Sequence, residues 1–197
     1  IATTGSQTYN GTAVLLGKTS LTGTAATFAT GIAGGGNDLT LDFTGTTLVD
    51  GAMTALGNLT TTGGGLTQLN GSVTTAGFQN LADNIQLLDN ATLTATSGNV
   101  SFGGTLDGTK VLNIVAGGAG QVVFTGQVGN ATPLASLNIA SATAVDALST
   151  VEIDGSSVSL DGLRIGAGVN NVNIAHPGSV ISNAVEAGVR LTGGSTG

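Results

Sequence analysis

The chain has 197 residues, 40% of them hydrophobic and only 8% charged, with 34 glycines, 2 prolines, no cysteine and a formal charge of −7. Its only cations, Lys18, Lys110, Arg164 and Arg190, are too few and too scattered to neutralise a phosphate backbone or hold an anionic lipid surface, so no nucleic acid and no membrane is expected as a partner. The lack of cysteine excludes disulfides and thiolate metal sites, abundant Val, Ile, Leu and Thr exclude a disordered chain, and no apolar run approaches the length of a bilayer span.

The opening stretch "IATTGSQTYNG" carries neither an initiator Met nor a basic start followed by an apolar run, so the chain reads as a piece of something longer. From there, short β-branched or apolar runs follow one another in order: "AVLL", "SLT", "LTLDF", "TLV", "NLTTT", "NIQLL", "TLT", "NVSF", "VLNIV", "VVF", "SLNI", "STVEI", "SVSL", "LRI", "NVNI" and "GVRL". Turns rich in Gly, Asn and Asp separate them, among them "GGGND", "SGN", Asp107-Gly108, "AGGAG", "GNAT", Asp154-Gly155 and Asp161-Gly162. No segment sustains a helical i, i+3, i+4 stripe, which predicts an all-β chain.

The strongest signal is internal repetition. Displaced by 72 positions, "IATTGSQTYNGTAVLLGKTSLT" falls on "VTTAGFQNLADNIQLLDNATLT" without a gap. Ile1 meets Val73, Gly5 meets Gly77, Gln7 meets Gln79, Leu15-Leu16 meet Leu87-Leu88, and Leu21-Thr22 meet Leu93-Thr94. Gapped matches continue the pattern, so residues 1–72, 73–150 and 151–197 are taken as three units of one solenoid segment. Coils of about twenty residues, stacked at about 4.8 Å, predict a right-handed parallel β-helix of roughly eight to ten coils. Val, Ile, Leu and Phe would point inward, Thr and Ser outward, and Gly and Asn would take the corners. A propeller or sandwich is the competing all-β architecture, but it uses longer antiparallel strands and more aromatics.

The segment "TTGSQTYNGTAVLLGKTSLTGTAATF" and its copy through "FGGTLDG" and "FTGQVGNATPLASLNIASAT" resemble the repeats of large secreted bacterial surface proteins of the filamentous-haemagglutinin and β-strand-repeat adhesin type. The likeness covers roughly residues 1–145. The last third is similar to the Gly/Asn coils of pectate-lyase-type β-helices. What the resemblance implies is a β-helix projecting from a cell and serving adhesion or cohesion, with no invariant site residues to carry over.

Several stretches imitate chemistry. In "NGTAVLLGKTS", Gly11 precedes Gly17-Lys18-Thr19 almost as in a phosphate-binding loop. The spacing is one residue too long, however, the loop interior is strand-like, no helix follows, and the copy carries Asp89-Asn90-Ala91 instead. "AGGGNDLTL" is similar to the calcium nonapeptide of repeats-in-toxin proteins, yet no consecutive copy follows, and Asp38 reads better as one carboxylate on a glycine corner. Asp154 and Asp161, with Glu152 and Arg164 nearby, have the residue types of a calcium-assisted lyase and equally those of ordinary Asp-Gly turns. His176 before Pro177 stands alone, which makes neither a triad nor a metal site.

Tyr9 and the five phenylalanines are too dispersed for a sugar platform, and the match of Phe28 with Phe102 points to core stacking. The Thr runs suggest a Thr-x-Thr face of the ice-binding kind, against which the uneven alignment offset argues. Asn10, Asn58, Asn70, Asn90, Asn99 and Asn130 stand in glycosylation sequons, as expected by composition in a chain this rich in Asn, Ser and Thr.

The expectation is therefore a non-enzymatic extracellular rod of a bacterial surface or secreted protein. It would have no catalytic, cofactor or metal residues beyond a faint prospect of calcium at the acidic turns. Its partners would be like chains or surface glycans, through end-to-end stacking or lateral contact. A carbohydrate-active enzyme on the same scaffold is the rival expectation, and an ice-binding β-helix the third.

Overall fold

The computed structural model describes residues 1–149 and 151, together with the backbone of strands Glu152–Asp154, Leu163–Ile165, Asn171–Ile174, Val180–Ser182 and Val189–Leu191. The described chain is a parallel β-solenoid of about seven turns without helices. Each turn contributes three short strands. The first coil holds β1 (Ser6–Tyr9), β2 (Ala13–Val14) and β3 (Thr19–Gly23), and the second β4 (Ala25–Phe28), β5 (Ile32–Ala33) and β6 (Leu39–Phe43). The third holds β7 (Thr46–Val49), β8 (Met53–Leu56) and β9 (Leu59–Thr62), and the fourth β10 (Leu66–Leu69), β11 (Val73–Thr75) and β12 (Gln79–Leu81). β13 (Asn84–Leu87), β14 (Ala91–Ala95) and β15 (Val100–Phe102) make the fifth, and β16 (Leu106–Asp107), β17 (Val111–Ala116) and β18 (Val122–Phe124) the sixth. The seventh runs through Val128, β19 (Ser136–Ser141) and β20 (Ala144–Ala147).

From β1 to β15 each strand pairs in parallel with the strand three places on; the seventh coil has only a bridge at Val128 in place of its first strand, so β17 pairs with β19 and β18 with β20, and three long sheets result beside the two-stranded pair Glu152–Asp154 and Val180–Ser182. Sheet I is β1-β4-β7-β10-β13-β16, sheet II begins β2-β5-β8-β11-β14-β17-β19, and sheet III is β3-β6-β9-β12-β15-β18-β20 with one further strand, Asn171–Ile174. Register is tightest in sheet III, where Thr19, Leu39, Leu59 and Gln79 succeed one another every 20 residues. Downstream the coils lengthen: Ile114 pairs with Ile139 and Ile139 with Ile165, intervals of 25 and 26. Longer coils consume more chain per turn, and the turns number about seven, slightly below the expected eight to ten.

Alternation writes this architecture into each strand. In β6, Leu39, Leu41 and Phe43 point inward while Thr40 and Asp42 point out, as the period-2 pleat requires. Stacking turns these positions into continuous columns, such as Leu39–Leu59 in sheet III and Ile32–Met53–Val73–Leu93–Ile114–Ile139 in sheet II. Tyr9 lies on Phe28 at 4.8 Å and Phe102 on Phe124 at 5.0 Å, ring faces nearly parallel at 2° and 13°. Those separations match the inter-strand spacing, so the ladder sets the aromatic stacking. Phe28 and Phe102 are thus both core rings, but they belong to different stacks on different faces.

The corners need glycine only where conformation and crowding coincide. Gly31 has φ +92°, and an added Cβ would run into the Ala52 carbonyl of the next coil. Gly36, at φ +83°, has open space around it. Gly36→Ala should therefore cost only the left-handed strain, on the order of 1–2 kcal/mol, while Gly31→Ala adds a backbone clash and should cost clearly more. Urea midpoints for the two variants check this ranking.

Candidate functional site

The near-phosphate-loop does not form a loop. Gly11 lies before β2 and Gly17 after it, at opposite ends of the rung Ala13–Val14, and Lys18 is exposed on the turn into β3. Thr19 Oγ1 donates to the Gly17 carbonyl at 2.9 Å, and Thr19 N–H to the Asp38 carbonyl of the next coil. The amides that a phosphate would need are thus spread along a strand and its corners.

That corner, between sheets II and III, shows what its polar residues do instead. Lys18, Asp38, Asn58, Phe78, Asn99 and Gln121 each stand one residue before a sheet III strand on successive coils. Asp38 Oδ1 accepts from the Asn58 backbone N–H at 2.9 Å and from Asn58 Nδ2 at 2.8 Å. Asn58 Oδ1 accepts from Phe78 N–H at 2.9 Å, and Asn99 Oδ1 from Gln121 N–H at 2.9 Å. The carboxylate that resembled a calcium ligand is thus a rung of a corner ladder. Among the described residues no group of three or more potential metal ligands comes together.

The other corners repeat the device. Asn84 Oδ1 accepts from Thr105 N–H between sheets III and I, and Asn90 Oδ1 from Val111 N–H between sheets I and II. Asp107 Oδ1 receives Ala131 and Thr132 N–H at 2.8 and 3.1 Å, and Asp50 Oδ1 receives Asn70 Nδ2 at 2.6 Å. Two of the sequon amides, at Asn58 and Asn70, are therefore already donating across coils, whereas Asn10 and Asn130 are exposed.

The 72-residue repeat has a structural counterpart that the sequence did not specify. Gln7 Nε2 donates to Thr3 Oγ1 at 3.3 Å and to the Thr22 carbonyl at 2.9 Å. Gln79 Nε2 makes the corresponding contacts with Thr75 Oγ1 at 3.4 Å and the Thr94 carbonyl at 3.0 Å. Thr3 and Thr75 each donate onward, to the Gly5 and Gly77 carbonyls. The repeated unit is therefore a corner clamp built by Thr, Gly and Gln. Yet β1 carries Gln7 in sheet I and β12 carries Gln79 in sheet III, eleven strands on, so the offset is three turns and two strands. The copies also differ at one oxygen. Tyr9 donates its hydroxyl to Gln7 Oε1 at 2.7 Å, whereas the position 72 residues on is Leu81 and Gln79 Oε1 is buried without a partner.

Sheet III contradicts the reason given against a regular hydroxyl face, since its first four coils hold a 20-residue register. The outward rows are nevertheless mixed: Ser20, Thr40, Thr60 and Asn80 in one, Thr22, Asp42, Thr62 and Ala82 in the other. Two hollows stand out. A cavity of about 260 Å³ opens in the first coil, lined by Ile1, Tyr9, Val14, Leu15, Phe28 and Ile32 among others, with Leu16 95% exposed nearby in sequence. A second, of about 250 Å³, runs over Gly36, Ala55, Thr74, Ala76 and Thr96 beside a bulge where Ala55 holds φ 51°.

Asp161 and His176 lie outside the described residues, as do the side chains of Glu152, Asp154 and Arg164. In the backbone ladder, Asp154 pairs with Ser182, and Arg164 with Asn138 and Arg190. Sequence reasoning passed over Asp83, which is 3% exposed. Its signal was present as Gly63-Gly64-Gly65 one coil upstream, a run of free amides facing an aspartate about twenty residues later.

Comparison of the chain with protein-family models, with curated proteins and with solved structures finds no match in any of the three. Weight therefore rests on the geometry. Asn58→Ala would orphan the Phe78 amide and remove the side-chain contact to Asp38 while leaving the backbone one, and should cost on the order of 1–3 kcal/mol. Asn10→Ala, at an exposed turn, should stay within about 0.5 kcal/mol of wild type. Chemical denaturation of both variants tests whether the ladder holds the corner.

Proposed function

We propose that the chain is a non-enzymatic structural and adhesive rod, part of a secreted or surface-displayed bacterial protein. Its contacts are with like chains and with surface glycans. One observation carries this reading: corner side chains that could do chemistry are spent on the next coil. Asp38, Asn58, Asn84, Asn90, Asn99 and Asp107 each accept a backbone N–H from the coil above. Such an arrangement stiffens a rod and leaves mainly Thr, Ser and Asn on the sheet faces, a weakly charged surface suited to sugar hydroxyls.

End-to-end stacking belongs to the same reading. Each strand of the solenoid lies in parallel on a strand of the neighbouring coil, so a second copy could extend the same ladders by coil-on-coil pairing. Exposed apolar side chains favour such strand addition by another coil.

Sedimentation and electron microscopy at neutral pH should find rods that lengthen with protein concentration. Leu16→Glu should shorten them without unfolding the protein. Binding to a panel of neutral and acidic glycans should be measurable without turnover, with or without calcium. Uniformly short rods that retain no glycan would overturn the proposal. So would glycan cleavage that disappears in Asp154→Asn or Asp161→Asn.

A further inference from the structure

Most of the buried polar side chains gather in a short stretch of the solenoid. Thr47, Thr61, Thr67, Thr75, Gln79 and Asp83 are all almost fully enclosed. Asp83 is the only ionisable group among them. It follows β12 and precedes β13, at the corner between sheets III and I where the fourth coil passes into the fifth. Its flanking strand residues stack on buried threonines of the preceding coil, Leu81 on Thr61 and Ile85 on Thr67. The hydroxyl oxygen of Thr61 is buried without a hydrogen-bond partner, and the buried Thr67 hydroxyl faces the Asp83 carboxyl.

One carboxyl oxygen is accounted for. Asp83 Oδ1 accepts the Gly64 N–H at 2.9 Å, inside the glycine turn 63–65, where Gly63 and Gly64 have φ +111° and +79°. On the following coil Gly104 packs against the Asp83 backbone carbonyl, 2.6 Å from where a Cβ would sit, and Asp83 as a whole is 3% exposed, so water has little access. The corner segments packed around it, residues 42–46, 62–66 and 103–105, contribute a single charged group, Asp42, of the same sign. No cation offsets the carboxylate among the described residues.

We propose that Asp83 is an internal proton-binding site, through which acid strengthens the junction of the fourth and fifth coils. Burial is the largest influence and disfavours the charged form, and the Asp42 carboxylate acts in the same direction. The Gly64 and Gly65 amides and the Thr67 hydroxyl oppose it by stabilising the carboxylate, but the balance leaves the Asp83 carboxyl above its usual range. When protonated, the side chain keeps an oxygen for the Gly64 amide and gains an O–H that the Thr67 oxygen can accept, reversing the direction of that contact.

The sign follows from linkage. A carboxyl with a raised folded-state pKa binds more protons folded than unfolded, so stability rises as pH falls through the folded-state midpoint towards the unfolded value, about 3.9. All other acidic side chains are common to two forms of the protein that differ at residue 83 alone. The comparison that isolates Asp83 is therefore wild type against Asp83→Asn.

That variant preserves the shape and an acceptor for Gly64 but cannot titrate. Urea midpoints of both proteins should be measured between pH 7 and pH 4. Wild type should gain on Asp83→Asn as pH falls. A gap that stays constant, or that moves in favour of Asp83→Asn, overturns the proposal. Carbon-detected NMR titration of the wild-type side-chain carboxyls needs no variant. Asp83 should titrate above the ordinary aspartate value of about 3.9, and a midpoint at or below that value overturns the proposal equally.

Discussion

Each coil of this solenoid must place its backbone donors and acceptors against those of the coil beneath, at the fixed spacing of a parallel sheet. Coil length, corner chemistry and the aromatic stacks all answer to that spacing. In sheet III the first coils satisfy it with an interval of 20 residues, and residues 19, 39 and 59 fall into line. Where a coil takes extra residues, as between Ile114 and Ile139, the excess leaves the ladder as a loop and the strands on either side stay paired. The chain can vary its length between strands, but within them it has almost no freedom. Short strands thus suffice, because each is held on both sides.

Corners are where that constraint is hardest to meet, since three changes of direction per turn would leave backbone groups without partners. The sequence meets it in two ways. Glycines such as Gly31 let two backbones approach closer than any side chain permits. Asn and Asp reach along the axis and accept the amide of the next coil, so that side chains extend the ladder around the bend. Among the described residues the corners are therefore polar without charge pairing: an amide oxygen can accept an N–H and be half-buried without the cost of an ion.

The all-β class, the parallel solenoid and the inward residues were legible because β-branched runs between Gly/Asn turns leave few other ways to bury one side of a short strand. The use of Asn and Asp at corners was legible only as turn propensity. Which backbone group each accepts depends on the register between coils, and register is a property of pairs of coils rather than of a local stretch. Asp83 was hidden for the same reason. Locally "LADN" reads as a solvated turn, and only stacking on Gly63-Gly64-Gly65 of the preceding coil puts its carboxyl inside. The groups around Glu152, Asp154 and Arg164 stand where sequence reasoning left them.

The clamp shared by Gln7 and Gln79 bears on how such a rod grows. Its two copies are out of step with the helix that contains them, one seated on sheet I and the other on sheet III. The three faces must then be nearly interchangeable as seats for the same stretch of chain, a pseudo-threefold equivalence that no single coil reveals. Duplicated segments need not measure a whole number of turns to be accommodated. A tandem array with this offset would precess by one face per unit and come back into phase on the fourth, so any contact made by one unit would be offered in three directions around the axis.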